Sequence, residues 1–204
     1  MPHRPEHRAK TRARILHGAR TLFNRRGFDG VSIDELMASA GLTRGAFYSY
    51  FQSKSQLYAE AVAQWLAETP WSQWDGVSVD FSAADSARQV VRAYLSRQHF
   101  EDVDASCPMV TLPSDVARSD HMVRKAFEDV FKAMVDLFDE SLRRDGPRDR
   151  GRALAIAGMC VGGMVVARAL DDLGLADALR ESTEKIALQL AGWSARPKRR
   201  RRST

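Results

Sequence analysis

The stretch that most limits what this chain can fold into is residues 31–54, VSIDELMASAGLTRGAFYSYFQSK. Ser32 stands three residues before Glu35, the reciprocal spacing of a capping box, and Val31 and Leu36 flank the pair as a hydrophobic staple. A helix therefore starts near Ile33. Ile33, Leu36, Met37 and Ala40 keep helical spacing, and Gly41 supplies the backbone freedom for a sharp exit. Thr43 is placed to cap a second helix, in which Phe47 and Phe51, four residues apart, turn toward the core. Thr43, Arg44, Gly45, Tyr48 and Ser49 are left on the outer side. Ser53 with Gln56 makes a second capping box, which puts Lys54 in the first turn of a third helix.

A short helix with an exposed Thr-Arg-Gly start and an aromatic anchor suits a DNA major groove. There the first residues of a recognition helix contact base edges while neighbours hold phosphates. Amides at the start of the third helix, together with the Lys54 ammonium, suit a phosphate. Three capped helices with aromatics in their core are the plain structural alternative, and spacing alone does not choose between the two. Resemblance does choose. From about Thr11 to Trp65 the chain resembles the N-terminal domain of the TetR family of transcriptional regulators. The likeness is carried by Gly27-Phe28, Val31-Ser32-Ile33, Ala40-Gly41-Leu42 and above all Gly45-Ala46-Phe47-Tyr48-Ser49-Tyr50-Phe51 with Lys54. It implies a DNA-binding regulator, most simply a repressor, with Thr43, Arg44, Gly45 and Tyr48 on bases and Arg8, Lys10, Ser32, Tyr50 and Lys54 on phosphates. Beyond Trp65 only length and helical content match.

Charge supports a polyanion partner. The net +5 of the 204 residues is unevenly spread: residues 1–26 carry eight Lys and Arg against one Glu, and residues 196–202 carry six with no acid, so the body between is net acidic. Basic ends on an acidic body suit a partner reached at one end. For the arm beside the helix pair the nucleic-acid reading leads; for the tail, a solubilising disordered end explains the charge equally well. Cys107 and Cys160 are too few for a disulfide framework and lack clustered zinc ligands, which fits a reducing cytoplasm. The N-terminus lacks the apolar run of a signal peptide. The longest apolar run, Ala153 to Ala167, falls short of the roughly 20 residues that cross a bilayer, so a soluble protein with no membrane partner is expected.

The pattern along the chain predicts an all-α protein. Residues 1–10 read as a flexible basic arm and 11–54 as a helix-turn-helix DNA-binding domain; 55–194 read as a helical effector-binding and dimerisation domain, and 195–204 as a disordered basic tail. In the first helix, Thr11 to Arg26, the residues Ile15, Leu16, Ala19, Leu22 and Phe23 form the buried stripe while Arg12, Arg14 and Arg20 point elsewhere. A helix over about 55–68 is followed by a break between Thr69 and Ala84. Further helices follow: one marked by Val90, Val91, Tyr94, Leu95 and Gln98, a short one over Pro108 to Arg118, and a long one over His121 to Arg144. No stretch alternates at period two, so no sheet is expected. The last two helices, about 149–173 and 176–193, differ in kind. Ala153, Ala157, Gly158, Val161, Gly162, Val165 and Ala169 make a face of small residues that permits close approach, and these helices are expected to form a homodimer's four-helix interface.

No HExxH, GxxxxGK or GxSxG occurs, so neither catalysis nor a cofactor or metal site is expected. An apolar lining for a small apolar or aromatic effector is offered by Trp65, Trp71, Trp74, Phe100, Met109, Phe127, Phe131, Met134 and Met159, with His99 as a polar handle. Ordinary core packing is the plain alternative for each. Cys107 precedes Pro108, a favoured first-turn residue, so its thiol is expected at a helix N-terminus where the dipole favours thiolate. That gives a second trigger, an oxidant or electrophile acting on Cys107; its acidic neighbours push the other way, and a buried, inert residue is the preferred reading. A third reading, of another class, is a helical enzyme or carrier without specific DNA binding.

Overall fold

The computed structural model describes residues 4–65, 76–145 and 149–193, so Trp71, Trp74 and the basic tail 195–204 lie outside the described residues. The first helix, α1, spans Arg4–Arg26 and begins within what the sequence marks as a flexible arm. Local chemistry accounts for the earlier start. Pro5 falls in the first turn, where a missing N–H costs nothing, Glu6 faces the positive end of the helix dipole, and Glu6 pairs with Lys10 at 3.5 Å. The expected stripe Ile15, Leu16, Ala19 and Phe23 is buried. Arg20 is buried with it, at 4% exposure, contrary to the outward position expected of it. Its long aliphatic stem suits that place on the apolar face. Gly27, at φ +71°, ends the helix.

Helix α2 covers Ile33–Ser39, a 3₁₀ helix Arg44–Ser49, and α3 Lys54–Gln64. These pack on α1 through Phe23, Leu36, Met37, Phe47, Phe51, Leu57 and Tyr58, all but inaccessible to water. Phe23 meets Tyr58 edge to face at 4.7 Å between centroids.

The body follows as α4 (Ser86–Tyr94), α5 (Arg97–Glu101), α6 (Pro108–Thr111), α7 (Pro113–Arg118), α8 (His121–Asp145), α9 (Arg150–Ala169) and α10 (Leu173–Ala191). Among the described residues there is no strand, and the architecture is all-α as the sequence predicts. Two expected helices are divided. The one running through Gln98 breaks at Ser96, whose hydroxyl accepts the His99 N–H at 3.1 Å and caps α5. The one over Pro108 to Arg118 breaks at Pro113, which has no N–H to continue the ladder. Helix α10 starts at Leu173, earlier than expected, because Asp172 accepts the Leu175 N–H at 3.1 Å.

Helix α9 also corrects an expectation. Over its 20 residues it is long and apolar enough, by length and composition alone, to cross a membrane, with a mean hydropathy of 1.4 in its most apolar window. Within the fold it is a packing helix. Ala153, Ile156, Ala157, Cys160, Met164 and Ala167 are buried, against α8 and α10. Gly163 lets α10 come close, since a Cβ there would meet Thr183 at 2.8 Å.

The reading head and the body meet where α1 ends. The Asn24 side-chain amide donates to the carbonyls of Asp104 and Ser106, both at 3.0 Å, and accepts from the Thr111 hydroxyl at 2.9 Å. Arg25 forks onto the Asp104 carboxylate, and the Phe28 N–H donates to Asp115 at 2.8 Å. From the other side, α9 sends Arg168 to the Ser106 hydroxyl at 2.7 Å and to the carbonyls of His99 and Asp102. Segment 102–111 is thus held between α1 and α9. Replacing Asn24 by Ala takes the donor from the buried Ser106 carbonyl and the half-buried Asp104 carbonyl, and urea unfolding is expected to show a loss of about 2 kcal/mol.

Candidate nucleic-acid interface

The geometry of the turn begins with its cap. Ser32 Oγ accepts the Glu35 N–H at 3.2 Å, the Ser32 N–H donates back to Glu35 at 2.8 Å, and the Ser32 hydroxyl donates to the same carboxylate at 2.7 Å. The two Ser32 bonds, followed by Arg26 at 2.7 Å, lower the Glu35 pKa to about 2. The Ser32 hydroxyl, expected on a phosphate, is therefore committed to the cap. Gly41 takes φ +66°, and the Leu42 N–H returns to the Met37 carbonyl at 2.9 Å, closing the exit.

The second helix of the pair is not the α-helix expected. It is a six-residue 3₁₀ helix, and Thr43, although at its N-cap position, makes no side-chain cap bond. Without that cap, and with Gly45 a weak helix former, the i to i+3 bonds Ala46 N–H to Thr43 (3.1 Å) and Tyr50 N–H to Phe47 (2.9 Å) prevail. Buried Phe47 and Phe51, 5.9 Å apart, hold it down. Thr43, Arg44, Gly45, Tyr48 and Ser49 all face solvent, Tyr48 at 68% exposure. A Cβ on Gly45 would meet nothing within 4 Å, and its backbone lies outside the left-handed region.

The basic residues divide into two groups. Arg8 donates to the Ser49 carbonyl at 2.5 Å and lies 5.8 Å over the Tyr50 ring, which brings the start of α1 against the end of the 3₁₀ helix. Lys10 is exposed beside Glu6. Arg44 pairs with Asp34 at 2.7 Å, and both side chains remain more than half exposed. Lys54, expected on a phosphate, turns inward. Its ammonium donates to the Phe28 carbonyl and sits 4.3 Å over the Phe28 ring, and burial lowers its pKa. It braces the α1–α2 turn. Ser53 accepts the Gln56 N–H at 3.0 Å, but the Gln56 side chain reaches the Gln52 N–H rather than that of Ser53, so only half the second capping box forms. Sequence reasoning missed Asp34 and the Arg12 pair with Glu60, which ties α1 to α3; both contacts join residues too far apart in sequence for helical spacing to show.

The effector residues read from the sequence lie in two environments. Trp65, His99, Cys107, Met109 and Met134 are buried; Phe100, Phe127, Phe131 and Met159 are partly buried. His99 is enclosed by Trp65 (6.4 Å, stacked) and Tyr94 (4.9 Å, edge on). Its Nδ1 meets the Tyr94 carbonyl at 2.6 Å and its Nε2 accepts the Cys107 N–H at 3.3 Å. Burial pulls its pKa down to about 3, so the ring is neutral. A shallow crevice lies instead between α1, α3 and α6, lined by Arg20, Phe23, Asn24, Tyr58, Ala61, Val62, Pro108 and Leu112, none of them among the expected lining.

Cys107 is the buried, inert residue of the preferred reading, not an activated thiol. It precedes Pro108 as foreseen, but it is fully buried, and burial pushes its pKa up to about 12. A four-residue helix has little dipole to set against that desolvation.

An exposed, aromatic-anchored turn on a capped helix pair, carried by an all-helical body, has the form of a helix-turn-helix. Residues 15–61, under a quarter of the chain, match the family described as bacterial regulatory proteins, tetR family. It is 39% identical over 64 residues to the Transposon Tn10 TetC protein of Escherichia coli, across 31% of this chain and 32% of that one. It is 33% identical over 49 residues to the biofilm operon icaADBC HTH-type negative transcriptional regulator IcaR of Staphylococcus aureus (strain Newman), across 24% and 26%. The matched stretch spans about a third or less of the length of these relatives. Solved structures extend the likeness in fold to the body. The reduced form of NemR from E. coli superposes with a TM-score of 0.70 over 88% of this chain and 96% of that one, at 17% identity. A SmeT–triclosan complex does so at 0.61 over 88% and 90%, at 21% identity.

Because burial raises both Cys107 and Cys160 to about 12, neither is expected to react with an aromatic disulfide reagent near pH 8 in the native protein. Both should titrate on unfolding in guanidinium. One fast thiol in the native chain contradicts this burial.

Proposed function

We propose that the protein is a DNA-binding transcriptional repressor that leaves a palindromic operator when a small molecule binds its body. The observation that carries this reading is the outward 3₁₀ helix, with Arg44, Gly45 and Tyr48 exposed over a buried Phe47 and Phe51 in a tetR-family domain. Arg44 presents a planar guanidinium suited to guanine, Tyr48 a ring suited to a thymine methyl or a phosphate, and Gly45 a bare backbone that a strand can approach. Arg8 and Lys10 flank them as phosphate contacts. The negative regulator IcaR, which shares this domain, supports repression.

Two half-sites require two heads. The expected face of small residues divides in the structure: Ala153 and Ala157 turn inward, while Leu154, Gly158, Gly162 and Val166 form an outward row at helical spacing, with Leu175, Ile186 and Leu190 exposed on α10. Such a surface is apolar beyond what a lone chain in water favours, and a second copy across a two-fold axis covers it. The dimer then sets the separation of the two heads, and an effector acts by binding one separation better than the other. The complex of SmeT with triclosan supports an apolar aromatic effector. Operator binding places the protein in the cytoplasm.

A gel-shift titration at fixed salt tests the reading. Arg44→Ala and Tyr48→Ala are each expected to weaken operator binding by about tenfold or more. Gly45→Ala, which meets no strain in the fold, should keep the thermal melt and still lose affinity. Three unchanged affinities refute the reading.

Charging the outward rows tests the dimer. Val166→Glu with Ile186→Glu should halve the mass seen by light scattering while helical circular dichroism is retained, and tight binding to the palindrome should go with it. A wild-type chain that stays single at working concentration removes the two-headed part.

A further inference from the structure

The Arg44–Asp34 ion pair needs a reason of its own. It links the first turn of α2 to the first residue of the 3₁₀ helix, ten residues on, through Nη1 and Oδ2 at 2.7 Å. As a stabilising contact it counts for little, because both side chains are more than half in water and such pairs contribute almost nothing to folding. Against a nucleic acid its acid works in the wrong direction. A carboxylate on a surface that approaches phosphates repels them and lowers sequence-independent affinity. Its neighbour Glu35 has a partner set that explains it, the Ser32 cap and Arg26; among the described residues the Asp34 carboxylate pairs with the arginine of the reading element.

We propose that Asp34 is a specificity-determining positioning residue, which fixes the Arg44 guanidinium for a guanine and at the same time lowers the affinity for every other sequence. Arg44 is a long side chain on a short helix and would otherwise sample many rotamers. With Nη1 committed to Asp34, the guanidinium plane is set, and the Nε–Nη2 edge remains as two parallel donors. That edge matches the O6 and N7 acceptors of guanine in the major groove. The pair thus lowers the entropy cost of a base contact and, through its negative charge, raises the cost of resting on phosphates alone. Specificity is a difference of affinities, and Asp34 acts on both sides of the difference. The residue touches the reader, not the base.

This inference rests on the DNA-binding reading, and its test separates the two. Selection of bound duplexes from random DNA with the wild-type chain yields the operator, and Arg44→Ala identifies the guanine whose preference disappears. Affinities for that operator, for the operator with this one base pair changed, and for a random duplex are then compared at fixed salt. Asp34→Asn removes the charge at nearly constant shape. It is expected to bind random duplex about twofold more tightly or better and to lose about tenfold in preference at that base pair, with other positions unaffected. Asp34→Glu keeps the charge but moves it by one methylene, so it should keep weak random binding while losing the guanine preference. Thermal melts accompany both, and since Asp34 is exposed each should fold. If the wild-type chain selects no palindrome, the DNA-binding reading fails. If it selects one and both variants keep the guanine preference, or lose affinity equally for all three duplexes, the role given to Asp34 is overturned while that reading stands.

Discussion

The structure depends on the side-chain amide of Asn24. Its two donors and its acceptor are met by groups some eighty residues away, the carbonyls of Asp104 and Ser106 and the hydroxyl of Thr111. No hydrophobic contact fixes a chain path so narrowly, because hydrogen bonds tolerate little error in distance and angle. Arg168 binds the same segment from the opposite side, again largely through backbone carbonyls. The stretch between α5 and α6 is therefore held by its main chain, with the Asp104 carboxylate and the Ser106 hydroxyl as side-chain anchors. A displacement of α9 reaches α1 through two layers of polar contact, without any soft layer between.

The head shows how far a count of basic residues overstates what is free to meet a polyanion. Arg12 is engaged by Glu60, Arg25 by Asp104, Arg26 by Glu35, and Lys54 by a carbonyl and an aromatic face. Arg12, Arg26 and Lys54 hold the head together, and Arg25 ties it to the body. The residues that remain at the surface are grouped by the folding of the N-terminal segment into α1, which delivers Arg8 to the Ser49 carbonyl beside the exposed turn. Order in that segment replaces a trailing charge with a placed one.

The sequence was most informative where the chemistry is local. The Ser32–Glu35 box, the left-handed Gly41 and the inward pair Phe47 and Phe51 stand where spacing puts them, because each depends on residues within one or two turns. The same locality explains the errors. Arg20 belongs to the buried stripe by position but was set aside for its charge, when its stem decides where it lies. Thr43 has the right residue type for a cap, yet the pull of two phenylalanines on a six-residue segment decides the winding. For Cys107 the place before Pro108 left two readings open, and burial by tertiary packing, which exceeds any effect of a short helix end, decides for the inert one. The lining of the body was the least legible: the expected residues are scattered between core and partial exposure, and only packing distinguishes a wall from a filling.

The winding of the segment Arg44–Ser49 has a consequence for how such a head can change. At three residues per turn, this short winding buries Phe47 while Arg44, Gly45, Tyr48 and Ser49 stay exposed. Inserting or deleting one residue turns everything beyond it by about a third of a revolution and changes which of these side chains reach water. New sequence preferences are thus open to this scaffold by exchanging letters along a fixed ruler, and closed to it by changing the ruler's length.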